Sequence, residues 1–301
     1  MQFDTGETQG QRNTHRAPVS PDEVSSMGPV SQTALLTLSG RAHDAVSKRP
    51  ILGDRWAVDM LHRIPSLGSP MVLNRFFYPG IALRSLLYDQ WTTEFLHRNP
   101  DATVLHLACG LDTRALRVSP LGPGVRWIDV DVPEVVALRR RLLSSEPASG
   151  GEYHLLAASV LDLALLQGIP DDRPTLIVAE GLLLYLSREG VLDLMQRLAA
   201  RFPSGQIVCD FCSGAFTWFR HLPLAMFRVI DLFGFTANDG NELAAASPRL
   251  LLTDNLAISD IPNQELCPWY LRVLSKLTSW IPVLRTMYSV CRLEIREPED
   301  D

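Results

Sequence analysis

The sequence predicts an α/β fold built on a mostly parallel sheet, and two observations support this prediction. From residue 103 onward, short apolar runs alternate with amphipathic segments, so that strand, helix, strand recurs four times. The chain has 301 residues, of which 46% are hydrophobic and 21% charged, which is typical of one large globular domain with an appendage. The predicted strands cover residues 103–108, 125–130, 154–160, 175–181, 206–211, 249–258 and 288–295.

Helical segments are predicted before the first strand and between the first five strands. Apolar residues recur at helical spacing within residues 27–100, which we interpret as a helical cap on a domain formed by residues 101–301. The cap helices are predicted near residues 31–42, 54–61 and 81–96, and the crossover helices at 113–117, 133–145, 161–167 and 188–202.

Two segments do not follow this alternation of predicted strands and helices. Residues 1–26 are polar and rich in Gly, Thr, Pro and Ser, which indicates a mobile tail. Residues 212–248 hold many aromatic residues and no predicted strand, which is typical of an inserted lid on the substrate side. Aromatic residues at helical spacing either pack in the core or line a large apolar pocket, and the sequence leaves both interpretations open.

Charge and cysteine content narrow the function classes. The formal charge of −6 argues against a nucleic-acid partner, and no apolar run reaches the length of a membrane span. Five cysteines do not form a disulfide framework, so a cytoplasmic protein is expected. Cys209 and Cys212 have CxxC spacing, but no second pair and no nearby histidine pair completes a metal site, so we predict packing roles and no metal.

The stretch VLHLACGLDTRAL, residues 104–116, predicts a ligand site at the end of the first strand. In open parallel sheets, ligands bind beyond the carboxyl ends of the strands, and small residues there let a ligand approach the backbone. Gly110 can adopt dihedral angles closed to other residues. We expect Asp112 to cap the next helix, with Thr113 and Arg114 tying the turn together.

An acid about twenty residues later fits a nucleoside ligand. Asp129 and Asp131 share strand parity, and either carboxylate can accept hydrogen bonds from both ribose hydroxyls. Asp131 is nearer the predicted strand end, so we favour it as the ribose acid. The alternative is that Asp131 only caps the helix that begins at Pro133.

Four motifs in this order resemble the leucine carboxyl methyltransferase family and its bacterial polyketide O-methyltransferase relatives. LACGLDTR is followed by DVPEVVALRRRLL, SVLD and AEGLLLYL, and the resemblance covers residues 27–297. It implies a Rossmann-like class I methyltransferase fold with seven strands, S-adenosylmethionine as the cofactor and S-adenosylhomocysteine as the product. Ala108 stands where the family often has glycine, and because alanine still permits close packing we expect little change in affinity.

The resemblance assigns roles to residues at the methionine end of the cofactor. Arg84, in the helix before the first strand, matches an arginine that pairs with the cofactor carboxylate, for which a two-point guanidinium contact suits. The resemblance also assigns Gly110 to line the methionine end of the cofactor. Glu180 matches the acid after the fourth strand, near the cofactor amino group or sulfonium, and the cofactor would supply the cation that a buried acid needs.

The nucleoside end is assigned in the same way. Asp131 matches the ribose acid, Leu161 matches a side chain that packs on the adenine, and Asp162 matches an acceptor for the adenine amino group. Without the resemblance, Asp162 would be interpreted as a helix cap on the surface.

The acceptor side is less defined. His221, within the inserted segment, is the candidate general acid or base, and Tyr185 either borders the acceptor pocket or belongs to the core. A carboxylate acceptor is already ionised at neutral pH and needs no base, whereas a phenol does. The expected partner is a small apolar molecule such as a polyketide, with no nucleic acid and no membrane.

Three alternatives remain. A protein C-terminal carboxyl methyltransferase would share the family and differ only in its acceptor. A nicotinamide-dependent dehydrogenase would share the glycine turn and ribose acid, although Leu111, Asp112 and Thr113 are bulky for a dinucleotide fingerprint. A non-catalytic member would keep the fold and bind a partner.

Overall fold

A computed structural model of the chain describes residues 19–20, 23, 26–64, 78–143, 145, 150–221 and 230–297, without the side chains of 163 and 219–221. Seven strands form one sheet in the order β3-β2-β1-β4-β5-β7-β6. The first five strands are parallel, and β7 runs antiparallel to both β5 and β6. This arrangement confirms the predicted mostly parallel sheet. The strands are β1 (Thr103–Leu107), β2 (Arg126–Asp131), β3 (Glu152–Ala157), β4 (Thr175–Ala179), β5 (Gly205–Cys212), β6 (Leu250–Ala257) and β7 (Tyr288–Ile295).

Helices cover both faces of this sheet. Alternate side chains of the fully buried β1 enter different cores: Leu105 packs with α7, and Val104 packs with α3. The helices are α1 (Pro29–Ala45), α2 (Arg55–His62), α3 (Tyr78–Arg98), α4 (Arg114–Arg117), α5 (Pro133–Leu142), α6 (Leu163–Gly168), α7 (Arg188–Arg201), α8 (Asn241–Ala244), α9 (Trp269–Ser279) and α10 (Pro282–Arg285). Short 3₁₀ segments lie at Leu183–Tyr185, Gly214–His221, Ile258–Asp260 and Gln264–Leu266.

The cap helices α1 and α2 pack against α5 of the α/β domain. Leu35 and Leu38 of α1 share an apolar cluster with Val135 and Leu138 of α5. Val19, which the sequence places in the tail, is buried in the same cluster, and its N–H donates to the Arg63 carbonyl oxygen. Of the predicted tail, residues 1–18, 21–22 and 24–25 lie outside the described residues.

Several predicted boundaries are wrong by one to three residues, and three of these errors concern candidate site residues. Residues 180 and 181 lie beyond β4 and not inside it, because Gly181 takes a left-handed φ of 66° that ends the strand. Helix α6 begins at Leu163 and not at Leu161, with Asp162 as its N-cap. β2 includes Asp131, the residue expected just beyond it.

The sheet has its topological switch point between β1 and β4. The chain proceeds from β1 to β2 and β3 on one side, and from β4 to β5 on the other. Crossovers that diverge in this way leave a crevice at the carboxyl edge of the sheet, where ligands of such folds bind.

The connection from β6 to β7 reaches the same edge. β6 runs parallel to β5, so residues 258–287 begin at the carboxyl edge and return to it at Tyr288. This connection contains α9 and α10, two helices that the sequence analysis did not predict. Helix α9 has no buried residue, and Trp269, Leu277 and Trp280 nearby are exposed.

Candidate active site

The loop after β1 is a tight turn held by the neighbouring strand. Ala108 and Gly110 both have left-handed backbones, with φ of 49° and 54°. The Gly110 N–H donates to Oδ2 of Asp131 at 2.6 Å, and the Cys109 N–H donates to the Val130 carbonyl oxygen at 3.0 Å. The loop and the end of β2 therefore form one unit at the switch point.

Asp129 and Asp131 differ in how many of their acceptor positions the protein already occupies. Both oxygens of Asp129 are saturated: Oδ1 accepts from Trp127 and contacts His106, while Oδ2 accepts from Arg139 and Tyr153. Burial opposes ionisation, yet Arg139 and His106 lower the pKa of Asp129 to about 2. Asp129 is a buried anchor with no acceptor position left for a ribose.

Asp131 keeps acceptor capacity. Its oxygens accept the Gly110 and Val132 N–H groups, and a carboxylate with two partners can accept further hydrogen bonds. Burial raises the pKa of Asp131, against the effect of these two backbone donors. Of the two acids, only Asp131 has acceptor positions left for a ligand.

Arg139 on α5 stabilises the loop after β1 through hydrogen bonds to its backbone. One of its nitrogens, Nη1, donates to the carbonyl oxygens of Gly110, at 3.2 Å, and Asp112, while Nη2 pairs with Asp129 at 2.6 Å. The sequence analysis quoted this arginine within DVPEVVALRRRLL without giving it a role. Its position shows that the second motif supports the first.

Arg84 and Glu180 contact each other directly, whereas the resemblance assigns Arg84 to the carboxylate of the cofactor and Glu180 to its amino group or sulfonium. The Arg84 Nε donates to Oε1 of Glu180 at 2.9 Å, and Ser85 donates to the same oxygen at 3.1 Å. The Arg84 Nη1 donates to Asp210 and Tyr288. Only Nη2 has no hydrogen-bond partner within the described part of the chain, so a two-point contact with a ligand carboxylate would have to displace a protein partner.

Glu180 already has protein cations. Arg114 approaches its other oxygen at 2.5 Å, so the expectation that a cofactor supplies the cation for this acid is wrong. Burial opposes ionisation, but Arg84 and Arg114 outweigh it and lower the pKa of Glu180 to about 2. Glu180 is therefore a fixed anion at neutral pH.

Arg114 and Asp112 join the two halves of the site. Asp112 does not cap α4, whose N-cap Thr113 makes no side-chain capping bond. Instead Asp112 pairs with Arg114 at 2.9 Å and with Arg117 at 2.7 Å. Because Arg114 is fully buried and also binds Glu180, the loop after β1 is tied to the turn after β4.

Asp210 and Tyr288 are site residues that the sequence analysis missed. Asp210 lies in β5 and Tyr288 at the start of β7, and both bind Arg84. Asp210 also accepts the Gly181 N–H at 2.7 Å. An available signal was the acid inside the apolar strand QIVCDF, because a buried carboxylate requires a partner.

Leu161 and Asp162 lie apart from these contacts, beyond the end of β3. Leu161 exposes 45% of its surface although it is apolar, which suits a side chain that covers a ring. Asp162 caps α6 by accepting the Ala164 N–H at 2.9 Å, so the surface-cap interpretation also holds. Within the described part of the chain, neither residue has a hydrogen bond with Asp131.

Tyr185 belongs to a row of aromatic rings. Its ring meets Phe233 edge-on at 5.7 Å, and Phe233 stacks on Phe216 at 6.1 Å. The Tyr185 hydroxyl bonds with Thr33 of α1, and burial raises the pKa of Tyr185. The His221 side chain lies outside the described residues, as do residues 222–229 of the predicted insert.

Three further observations concern metal binding, membrane spans and cavities. Within the ranges described, no group of three or more His, Cys, Asp or Glu residues is placed to hold a metal ion, and no helix is both long and apolar enough to cross a bilayer. A cavity of about 840 Å³ is lined by Leu52, Trp56, Asp89, His97 and Arg117, among other residues. None of the predicted site residues lines it.

Comparison with known proteins places these features in a family. The model of the leucine carboxyl methyltransferase family matches residues 34–199. An S-adenosyl-L-methionine-dependent methyltransferase of Gibberella zeae is 39% identical over 181 residues, which cover 57% of this chain and 61% of that protein. The tetracenomycin polyketide synthesis O-methyltransferase of Streptomyces glaucescens is 35% identical over 233 residues, which cover 77% of this chain and 84% of that protein. Leucine carboxyl methyltransferase 1 of Eremothecium gossypii is 29% identical over 157 residues, covering 44% and 45% of the two chains.

Solved structures share the fold. A methyltransferase from Thermobifida fusca superposes with a TM-score of 0.52 at 16% identity, covering 89% of this chain and 98% of that chain. A DUF574 family protein from Streptomyces avermitilis superposes with a TM-score of 0.55 at 14% identity, covering 86% and 97%. At these identities the likeness concerns the fold alone.

Proposed function

This chain belongs to the leucine carboxyl methyltransferase family, and we propose that it is an S-adenosylmethionine-dependent O-methyltransferase acting on a small apolar metabolite such as a polyketide. One observation supports this most directly. Arg84 and Glu180 are in contact at the carboxyl edge and connect through Arg114 and Asp112 to the loop that contains Gly110. The residues matched to the methionine part of the cofactor are therefore neighbours in space.

The residues present fit the cofactor. Arg84 has one unpartnered nitrogen among the described residues and a side chain 12% exposed, which suits a single charge-assisted bond to a carboxylate. Asp131 offers free acceptor positions to ribose hydroxyls, and exposed Leu161 offers a surface for the adenine. Bound S-adenosylmethionine would supply a methyl group on a sulfonium, an electrophile that needs alignment more than activation.

The acceptor side supports an aromatic or otherwise apolar substrate. Tyr185, Phe233 and Phe216 form a continuous row of rings beside α1, and Trp218, two residues after Phe216 in the chain, is 72% exposed. Binding sites for apolar ligands are lined mainly by such side chains, with few polar groups for orientation. The match to a polyketide O-methyltransferase agrees with this composition.

The acceptor atom is proposed to be a carboxylate or hydroxyl oxygen. Burial raises the pKa of Tyr185, so its hydroxyl is protonated at neutral pH and cannot serve as a base. A carboxylate acceptor needs none, and its alignment with the methyl group suffices. A phenol acceptor would need a base, for which His221 remains the candidate.

The test is methyl transfer from S-adenosylmethionine to aromatic polyketide acids and to the matching phenols, followed by mass spectrometry. Mild alkali cleaves a methyl ester and leaves an aryl ether intact, which identifies the methylated oxygen. We expect a methylated product whose formation is lost in Arg84→Ala and kept in Lys276→Ala, a change on exposed α9. Methylation of a peptide C-terminal carboxylate alone would instead support the protein carboxyl methyltransferase. Binding of S-adenosylmethionine without any methyl transfer would support the non-catalytic alternative.

A further inference from the structure

The site is built on a buried ionic network that carries an excess of negative charge. Its members contact one another as ion pairs of 2.5–3.1 Å. Among the described residues of this network, four guanidinium groups face five carboxylates, so one carboxylate has no guanidinium of its own, and the imidazole of His106 lies 3.9 Å from Asp112. The arginines are Arg41, Arg84, Arg114 and Arg117, and the acids are Asp54, Asp89, Asp112, Glu180 and Asp210.

The excess charge falls at Asp210. Glu180 and Asp112 each pair with two arginines, whereas Asp210 pairs with Arg84 alone, which it shares with Glu180. Asp210 is fully buried, and burial raises its pKa against the effect of Arg84. The groups that face it are Arg84 and Tyr88 on α3, Glu180 after β4, Tyr185, Tyr288 on β7, and the thiols of Cys209 and Cys212.

The two forms of the cofactor differ in charge. S-adenosylmethionine carries a carboxylate, an ammonium and a sulfonium group, which gives a net charge of about +1 at neutral pH. S-adenosylhomocysteine has lost the sulfonium charge and is neutral overall. An uncompensated carboxylate in a low-dielectric site therefore attracts the first more strongly than the second.

We propose that Asp210 is a positioning residue that also sets the preference of the site for S-adenosylmethionine over S-adenosylhomocysteine. Its carboxylate holds the Arg84 guanidinium in place through Nη1. Its negative charge is compensated only when a cationic ligand is bound. The neutral product loses this attraction and leaves more readily. This inference rests on the proposed function, because it assumes that the site binds this cofactor.

A variant of Tyr288 distinguishes the two effects of Asp210, which are the positioning of Arg84 and the negative charge. Its hydroxyl donates to Asp210 and contacts the same Arg84 nitrogen, so it holds the geometry without adding charge. Tyr288→Phe should therefore weaken both ligands to the same extent and leave their ratio unchanged. Asp210→Asn removes the charge and keeps the size of the side chain, so it should change the ratio.

Isothermal titration calorimetry with the two ligands tests the proposal. In Asp210→Asn we expect S-adenosylmethionine binding to weaken about tenfold more than S-adenosylhomocysteine binding. In Tyr288→Phe the ratio of the two dissociation constants should stay within about twofold of the wild type. Asp193→Asn removes an exposed carboxylate of α7 and serves as the control for net charge.

The outcomes are distinguishable. Wild-type protein that binds neither ligand would overturn the proposed function together with this inference. Wild-type protein that binds both, with the same ratio in Asp210→Asn, would overturn this inference alone. If Asp210→Asn does not fold, the wild type provides the second measurement: it should bind S-adenosylmethionine more tightly than S-adenosylhomocysteine, and equal or reversed affinities would also overturn the inference.

Discussion

At the scale of single residues, the site depends on backbone positions that the sequence signals only in part. Ala108 occupies a left-handed backbone conformation with φ of 49°, where a β-carbon is disfavoured. The motif analysis expected this alanine to be tolerated because it is small. The structure adds that its backbone angle, and not its size, is the reason that glycine suits the position.

Ala108→Gly should therefore stabilise the protein. Removal of the left-handed strain gains about 1–2 kcal/mol, and the added freedom of glycine in the unfolded chain offsets about half of it. We expect a net gain of about 0.5–1 kcal/mol in the free energy of unfolding by urea, with unchanged affinity for S-adenosylhomocysteine. A loss of stability would show that the alanine is not strained.

Asp131→Ala should weaken cofactor binding by roughly 1–3 kcal/mol, because ribose hydroxyls and the Gly110 N–H would lose their acceptor. Calorimetric titration with S-adenosylhomocysteine measures the change. Unchanged binding would transfer the ribose role to Asp129, contrary to the saturation of that carboxylate.

At the scale of elements, strand and helix identities followed from the sequence, whereas their ends and their mutual support did not. The alternation of apolar runs with amphipathic segments predicted β1 to β5 and the helices between them, because periodicity is a local property. The pairing of Arg84 with Asp210 and Tyr288 spans three elements far apart in the chain. No local pattern encodes such a contact, so it emerged only from the structure. Helix α9 did carry a local signal that the sequence analysis overlooked, because its apolar residues Trp269, Val273 and Leu277 recur at helical spacing between polar ones.

Arg139 shows how one element supports another. Arg139→Met should destabilise the protein by about 3–5 kcal/mol, because Asp129 would be left as a buried charge without its cation. The loop carbonyl oxygens of Gly110 and Asp112 would also lose their donor. Urea unfolding checks the stability, and the double variant Arg139→Met with Asp129→Leu should recover part of it. A double variant no more stable than the single one would contradict a role for the unpaired charge.

At the scale of the whole molecule, the buried charges make stability depend on pH. The pKa values of Asp129 and Glu180 are lowered to about 2 in the folded protein, below those of the unfolded chain. A lowered folded pKa contributes stability above the unfolded pKa of about 4, and that stability is lost as pH falls toward 2. Asp131 and Asp210, whose pKa values are raised, act in the opposite sense and offset part of the loss.

The free energy of unfolding should therefore fall between pH 5 and pH 2, by about 2–3 kcal/mol each for Asp129 and Glu180. Asp112, whose pKa Arg114 and Arg117 hold well below its ordinary value, adds to this loss. Urea titrations at a series of pH values measure this dependence. Asp129→Asn should flatten part of the curve, whereas Asp193→Asn on the surface should not. A wild-type curve that stays level down to pH 2 would contradict the assigned pKa directions.

The central claim is that the carboxyl edge around Gly110, Asp131, Arg84 and Glu180 binds the adenosyl cofactor. Calorimetric titration with S-adenosylhomocysteine of the wild type, Arg84→Ala and Lys276→Ala tests it most directly. The account predicts micromolar binding to the wild type and to Lys276→Ala, and binding at least about tenfold weaker to Arg84→Ala, which has lost a charge-assisted bond. Equal affinities in the two variants, or tight binding of NADH in place of S-adenosylhomocysteine, would contradict it.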